Sequence, residues 1–464
     1  MTNLFSSLQG ASTALDAFSR ALGADQNNVS NSSTPGYAAV RATIQPVGFG
    51  PAGGADTVVI ASTGNAQADA LVQAATSQAS DSQTQAQQLN LINQQFDITG
   101  SGGILAAFQQ FSTAFANLSV SPGDSSVAAT ALAAAQNVAA AFHSVAQSLD
   151  SQSASLAGGA QSAVSQINGL AGQIAQYNVQ VRGQTQLDPG VDASQRSALT
   201  QLSSLVGITV NKNADGTLNV LAGGSLPLVL GDQSFNIHAD LSAAPGSQIT
   251  SSGGGVTPLS LSGTLGGIVD IFNNTITPIL GGNGQTGSLN TLAQGFASTV
   301  NGLLTSGVTA TGAAGVSIFT YDSANPSNVA RTLSVDATVT PDQLAVATTG
   351  ASAQSNGVAN QLAGLAGSNS PANQIQGLAP RDYFSLIAQS VGQKLSDANS
   401  QSTADQSTLT SATASQTAIE GVSLNQEAVD ITAYQRAWQA SAKLVSVLDN
   451  LVLDAVNLVG AQDA

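Results

Sequence analysis

Few side chains in this sequence could carry covalent or metal chemistry, and their spacing would not let them cooperate. There are two histidines, His143 and His238, far apart in the chain, and no cysteine in 464 residues. General bases, thiol nucleophiles and most metal sites need imidazole or thiolate groups close to a partner. The two histidines therefore read as surface or half-buried polar residues. Asp188 and Asp192 flank Pro189-Gly190 and would be a carboxylate pair, but a turn accounts for them. Gly282-Asn-Gly284-Gln-Thr-Gly287 has the G-x-G-x-x-G spacing that lets backbone amides approach a pyrophosphate. It follows a helical stretch rather than a strand, so it lacks the βαβ frame and reads as a loop. Walker A, G-x-S-x-G and H-E-x-x-H motifs are absent. The sequence predicts no catalytic residue, cofactor or metal and no enzyme activity, with a carboxylate-only hydrolase as the surviving enzymatic alternative.

Composition points the same way. Only 8% of residues are charged, against about 25% in an ordinary globular domain. Ten basic residues against 26 acidic ones give a net charge of -16. Nucleic acid and anionic lipid both require clustered Lys and Arg, and none are clustered here. Aromatics make up 4%, with one Trp, so burial must come from many small aliphatic contacts, which suits long helix-on-helix seams. No run of about 18 apolar residues is present to span a membrane. The opening MTNLFSSLQGASTALDAFSR has no basic n-region, continuous apolar core or A-x-A site, so it does not resemble a Sec signal. By these signals alone the chain would be cytoplasmic.

The elements that must do the positioning lie at the two ends. Leu4, Leu8, Ala11, Leu15, Phe18 and Leu22 alternate by four and three, a heptad seam. Asn28, Asn31 and Thr34-Pro35-Gly36-Tyr37 read as the cap and turn that stop this helix. At the other end Ile431, Tyr434, Trp438, Ser441, Val445, Leu448, Val452, Ala455 and Val459 keep the same alternation. Neither narrow stripe can bury itself, so pairing the first helix with the last is expected. The termini are expected to be disordered in the free chain and to fold on assembly, when neighbours cover both stripes. Tyr434 and Trp438 read as intramolecular packing; Glu427 and Arg436 read as solvated or locally paired. The predicted fold class is α+β, mainly α: an elongated multi-domain chain with terminal helices paired as a coiled coil, a long helical bundle and a β-rich outer insert. Residues 1–34 with 420–464 form the terminal coiled-coil domain, and 35–64 an extended connector. Residues 65–205 with 264–305 and 375–419 form a helical domain, with helix read to about 410. Residues 206–263 form a β-rich outer domain and 306–374 an irregular or β-like segment. Within the helical domain, Asp188-Pro189-Gly190 reads as a turn before a helix from Ala193.

The run Ala21-Leu-Gly-Ala-Asp-Gln-Asn-Asn28-Val-Ser-Asn31-Ser-Ser-Thr-Pro-Gly-Tyr37 resembles the N-terminal signature of bacterial flagellar rod, hook and hook-associated proteins, with its N-N-I-A-N-x-x-T-P-G-Y core. Gly421-Val-Ser-Leu-Asn-Gln-Glu427 and Tyr434-Gln-Arg-Ala-Trp438 resemble the matching C-terminal motif. In the middle, Ile167-Asn-Gly-Leu-Ala-Gly-Gln-Ile-Ala-Gln-Tyr-Asn178 and the stretches after it follow the order of the hook-associated protein 1 family. Departures occur at Ser194 and Ser197, where that family carries acids, and at Asn425-Gln426. They call into question the family's salt bridges at those places, not the fold. The resemblance implies a structural subunit joining hook to filament, exported through the flagellar type III apparatus to an extracellular position. Its partners would be copies of itself, hook protein, a second junction protein leading to flagellin, and an export chaperone. The residues expected to carry assembly are Leu8, Leu15, Leu22, Asn28, Asn31, Thr34, Pro35, Gly36 and Tyr37. From the other end come Gly421, Glu427, Tyr434, Gln435, Trp438, Ala442, Val445, Leu448 and Val452. A rod or hook subunit, or a non-flagellar adhesin or binding module, are the alternatives.

Overall fold

The computed structural model describes residues 2–46, 56–182, 188–241, 248–252, 261–282, 284–350 and 355–460. In chain order the elements are α1 (Thr2–Asn31), a hairpin β1 (Val40–Pro46) and β2 (Asp56–Ser62), then α2 (Ala66–Asn93), α3 (Gly103–Val120), α4 (Ser125–Val181) and α5 (Pro189–Leu205). A β-rich stretch follows: β3 (Ile208–Lys212), β4 (Leu218–Ala222), β5 (Leu226–Leu230), β6 (Gln233–Ser234), β7 (Ile237–Asp240) and β8 (Gln248–Ser251). Next are α6 (Gly263–Ile271), a π turn, α7 (Thr277–Leu280), α8 (Ser288–Thr305), β9 (Gly307–Val308), β10 (Phe319–Thr320), α9 (Val329–Thr332), β11 (Ser334–Val335), β12 (Ala347–Thr348) and α10 (Gly357–Ala363). The long helices α11 (Pro380–Glu420) and α12 (Leu424–Gly460) close the chain. The mainly helical α+β class expected from the sequence is what folds.

The body is organised on α4, whose 57 residues extend about 85 Å at 1.5 Å per residue. Asp124 starts it by accepting from the Ser126 and Val127 amides. Ala131, Val138, Phe142, Leu149, Val164, Ile167 and Ile174 bury one face. By composition α4 is long and apolar enough to cross a membrane, but that apolar face is the middle of the core. The scarce aromatics converge there: Phe296 of α8 stacks on Phe108 at 4.7 Å and meets Phe111 at 5.3 Å, both from α3. Phe142 of α4 reaches Phe108 at 6.0 Å. Helices α2 and α11 run antiparallel, with Phe96 just past α2 against Phe384 at 5.9 Å and Asp69 near the start of α2 bonded to Gln416. Two boundaries differ from expectation. α11 continues past 410 to Glu420, and α5 begins at Pro189 rather than Ala193, because Asp188 caps it and Pro189 takes the first turn.

Strands β3 to β6 form an antiparallel meander and β7 pairs with β8. With so few charges available, buried asparagines anchor backbone to helix. Asn178 of α4 is fully buried, donates to the carbonyls of Leu218 and Gly231, and accepts from the Leu218 amide at 2.9 Å and from Gln195 at 3.0 Å. Asn168 exchanges two bonds with Ile237. Asn301 of α8 does the same for Phe319 and also accepts from Ile318. Asn178→Ala should cost about 2–3 kcal/mol, because buried backbone groups lose their partners. The shift of the urea midpoint measures it.

Candidate assembly site at the joined chain ends

Helix α1 lies between α12 on one side and the β1–β2 hairpin on another. The segment expected as an extended connector is therefore an antiparallel hairpin, paired from Val40↔Ser62 to Pro46↔Asp56. Two-sided cover changes the seam. Ala11, Ala17, Ala21 and Ala24 are the fully buried apolar residues of α1, whereas Leu8, Leu15 and Leu22 are half-buried. Small side chains let the neighbouring backbones close in, so the alanine face, not the leucine stripe, is packed tightest. On α12 Ile431, Tyr434, Ser441, Ala442, Val445, Leu448, Val452 and Ala455 are half-buried along one line, and Tyr434 meets Phe18 at 6.4 Å. Gln435 is exposed. Trp438 is 39% exposed, so it is not the packed anchor that the spacing suggested.

Asn28 is the centre of the joint. It sits inside α1, not at its cap, and is 1% exposed. Its amide donates to the Val40 carbonyl at 2.8 Å and to Glu427 Oε2 at 3.1 Å. Its oxygen accepts from the Val40 amide at 2.8 Å and from the Tyr37 hydroxyl at 2.9 Å. One side chain thus ties the first helix, the start of the hairpin and the last helix together. Glu427, expected to be solvated, is buried for this reason; Arg436 is exposed. The helix ends at Asn31, whose carbonyl accepts from Thr34. Tyr37 N–H then donates to the Thr34 carbonyl at 3.1 Å across Pro35-Gly36, with Gly36 at φ 78°, the signature of a type II turn. That turn seats on α5: a Cβ at Gly36 would come within 2.4 Å of the Ala193 carbonyl.

A second node fastens this joint to the body. Arg196 of α5 is ion-paired with Asp69 of α2 at 2.9 Å, Asp192 at 3.1 Å and Glu420, the last residue of α11, at 3.0 Å. Burial alone would pull the guanidinium down, but the three carboxylates hold it above its ordinary value. Burial pushes the Asp69 carboxyl up in spite of Arg196. Glu420 also accepts from the Asn65 amide, and its carbonyl takes the Ala39 amide at 2.8 Å. Gly421 turns the chain out of α11 where a Cβ would lie 2.4 Å from the Thr417 carbonyl. Arg196, Asp69 and Glu420 were not among the expected site residues. The available signal was Asp192 and Arg196 at i, i+4 in a chain almost without charge. The Ser194 and Ser197 departures leave this node intact, since its acids come from α2, α11 and Asp192.

No group of three acidic or histidine side chains able to hold a metal occurs among the described residues. The G-x-G-x-x-G run joins α7 to α8, and its last glycine is there for space: a Cβ on Gly287 would fall 2.3 Å from the Gly281 nitrogen. What the site can do is mechanical. It joins the two ends of the chain and fastens that joint to the helical body, while α12 leaves Leu444, Val447, Leu451, Leu453 and Val456 about half exposed.

That is the build of a structural protein whose two chain ends are joined and fastened to a helical body. Residues 89–319, about half of the chain, match the family model of the flagellar hook-associated protein FlgK helical domain. The chain is 23% identical to flagellar hook-associated protein 1 of Bacillus subtilis (strain 168) over 514 aligned positions, covering 99% of both. The flagellar hook junction protein FlgK from Burkholderia pseudomallei shares the fold, with a TM-score of 0.65 at 16% identity over 76% of this chain and 100% of that one. The chain belongs to the flagellar hook-associated protein 1 (FlgK) family.

Proposed function

We infer that this chain is a structural subunit of the bacterial flagellum that forms the junction between hook and filament, without enzymatic activity of its own. The observation that carries this reading is the joint of α1 and α12, held by Asn28 and locked to the body through Arg196, with an uncovered apolar side on α12. Each half-exposed Leu or Val there would contribute about 1 kcal/mol when covered, and copies of the same chain supply matching stripes. Its partners are then further copies, hook protein on one side, a second junction protein leading to flagellin on the other, and an export chaperone. The chain would leave the cell through the flagellar type III apparatus and work outside it. The terminal pair (1–34 with 420–464) is proposed as the inner, assembling domain. The helical body (65–205, 264–305 and 375–419) and the β-rich stretch 206–263 lie outside it.

A strain lacking the gene, complemented with the full chain or with residues 420–464 removed, tests the role. Hooks without filaments and flagellin shed as monomer are expected, with rescue by the full chain alone. Filaments persisting in the deletion strain would remove the assignment. A second expectation concerns the free chain. Two helices meeting along one stripe are marginal alone, so exchange protection of α1 and α12 amides should be at least about 100-fold below that of α4. Equal protection contradicts the idea that neighbouring copies complete the terminal domain.

A further inference from the structure

Asp25 is one helical turn before Asn28 and is 5% exposed. Its Oδ2 has no hydrogen-bond partner. Across the joint it faces Glu427, Asp430 and Tyr434 of α12. Glu427 also acts on Tyr37 of the turn beside Asn28. The cations carried by the surrounding elements, Arg20 of α1, Arg41 of β1, and Arg436 and Lys443 of α12, are all exposed. Two ionised carboxylates are both acceptors and can only repel. The same two groups with one proton between them form a strong, short-range bond. Glu427 is itself held in place by Asn28, so it cannot turn away from Asp25 without giving up that bond.

We propose that Asp25 and Glu427 form a proton-linked latch: one shared proton closes α1 onto α12, and its loss loosens the joined chain ends. Burial first, then Glu427 and Asp430, push the Asp25 carboxyl from 3.8 up to about 7. The folded pair therefore binds a proton that the separated helices do not. Pairing is strongest below about pH 4. It weakens by up to about tenfold per pH unit as the pH rises to about 7, and is level above. This inference concerns only the chain's own ends and holds whether or not the subunit serves at a junction.

Global unfolding is a poor readout, because Asp81 in the body, pushed up to about 6 mainly by burial, also titrates. The sole tryptophan, Trp438, lies on α12 and reports locally. Its emission in the full-length chain should move to the red between pH 4.5 and 7.5. In Asp25→Asn the amide supplies the donor without a proton, so emission should stay at the blue end throughout. Glu427→Gln, which keeps an acceptor for Asn28, should flatten the profile in the same way. Far-UV circular dichroism of each variant checks that the body remains folded. A wild-type profile that is flat, or one that either folded variant reproduces, overturns the latch.

Discussion

Arg196→Ala should lower the urea midpoint of the helical body by an amount equivalent to about 3–5 kcal/mol and uncouple the chain ends from it. Three carboxylates, Asp69, Asp192 and Glu420, converge on this one guanidinium, and all four groups are mostly buried. Removing the cation leaves buried negative charges facing each other without compensation, which is the costly way to break an ion pair. The effect reaches further than one contact because α2, α5, α11 and the base of the hairpin meet there. Gly64→Ala should act in the same direction, since a Cβ would lie 1.7 Å from an Arg196 guanidinium nitrogen and displace it. If Arg196→Ala unfolds at the wild-type midpoint, the node does not hold these elements together.

Asn28→Ala should abolish filament growth in the complementation assay while leaving the body folded. Four hydrogen bonds end on this side chain, one of them to the buried Glu427 carboxylate. Bonds to charged groups are worth more than neutral ones, and the partners left behind stay buried, so the loss at the joint is about 3–4 kcal/mol. That is enough to open a marginal two-helix contact but not a core built around Phe296. Asn28→Asp should be at least as severe, because it places a further carboxylate beside Asp25 and Glu427. Trp438 emission and exchange protection at α12 give the local readout. A normal filament on Asn28→Ala cells contradicts the central position of this residue.

The sequence by itself determined the class, the helical ends and most of the β-rich stretch. Heptad spacing does not depend on context, so it placed helices at both ends, and residues 206–263 read as β-rich, where β3 to β8 lie. Helix limits were legible where a proline and glycine stop the chain, as at Thr34-Pro35-Gly36 after α1. They were misread at Asp188, where the same turn residues serve as a cap and first helical turn. Only the tertiary structure decided which face of α1 is packed tightest and what its polar residues do. A heptad names a stripe but not how many partners cover it. Once the hairpin and α12 both lie on α1, the alanines become the tight face and the leucines move to the margin. Asn28 likewise reads as a cap in one dimension, because its partners Val40 and Glu427 come from a neighbouring strand and from the far end of the chain. The value of a buried polar group lies in what it meets across space, and that is why the latch at Asp25 and the node at Arg196 were not visible in the sequence.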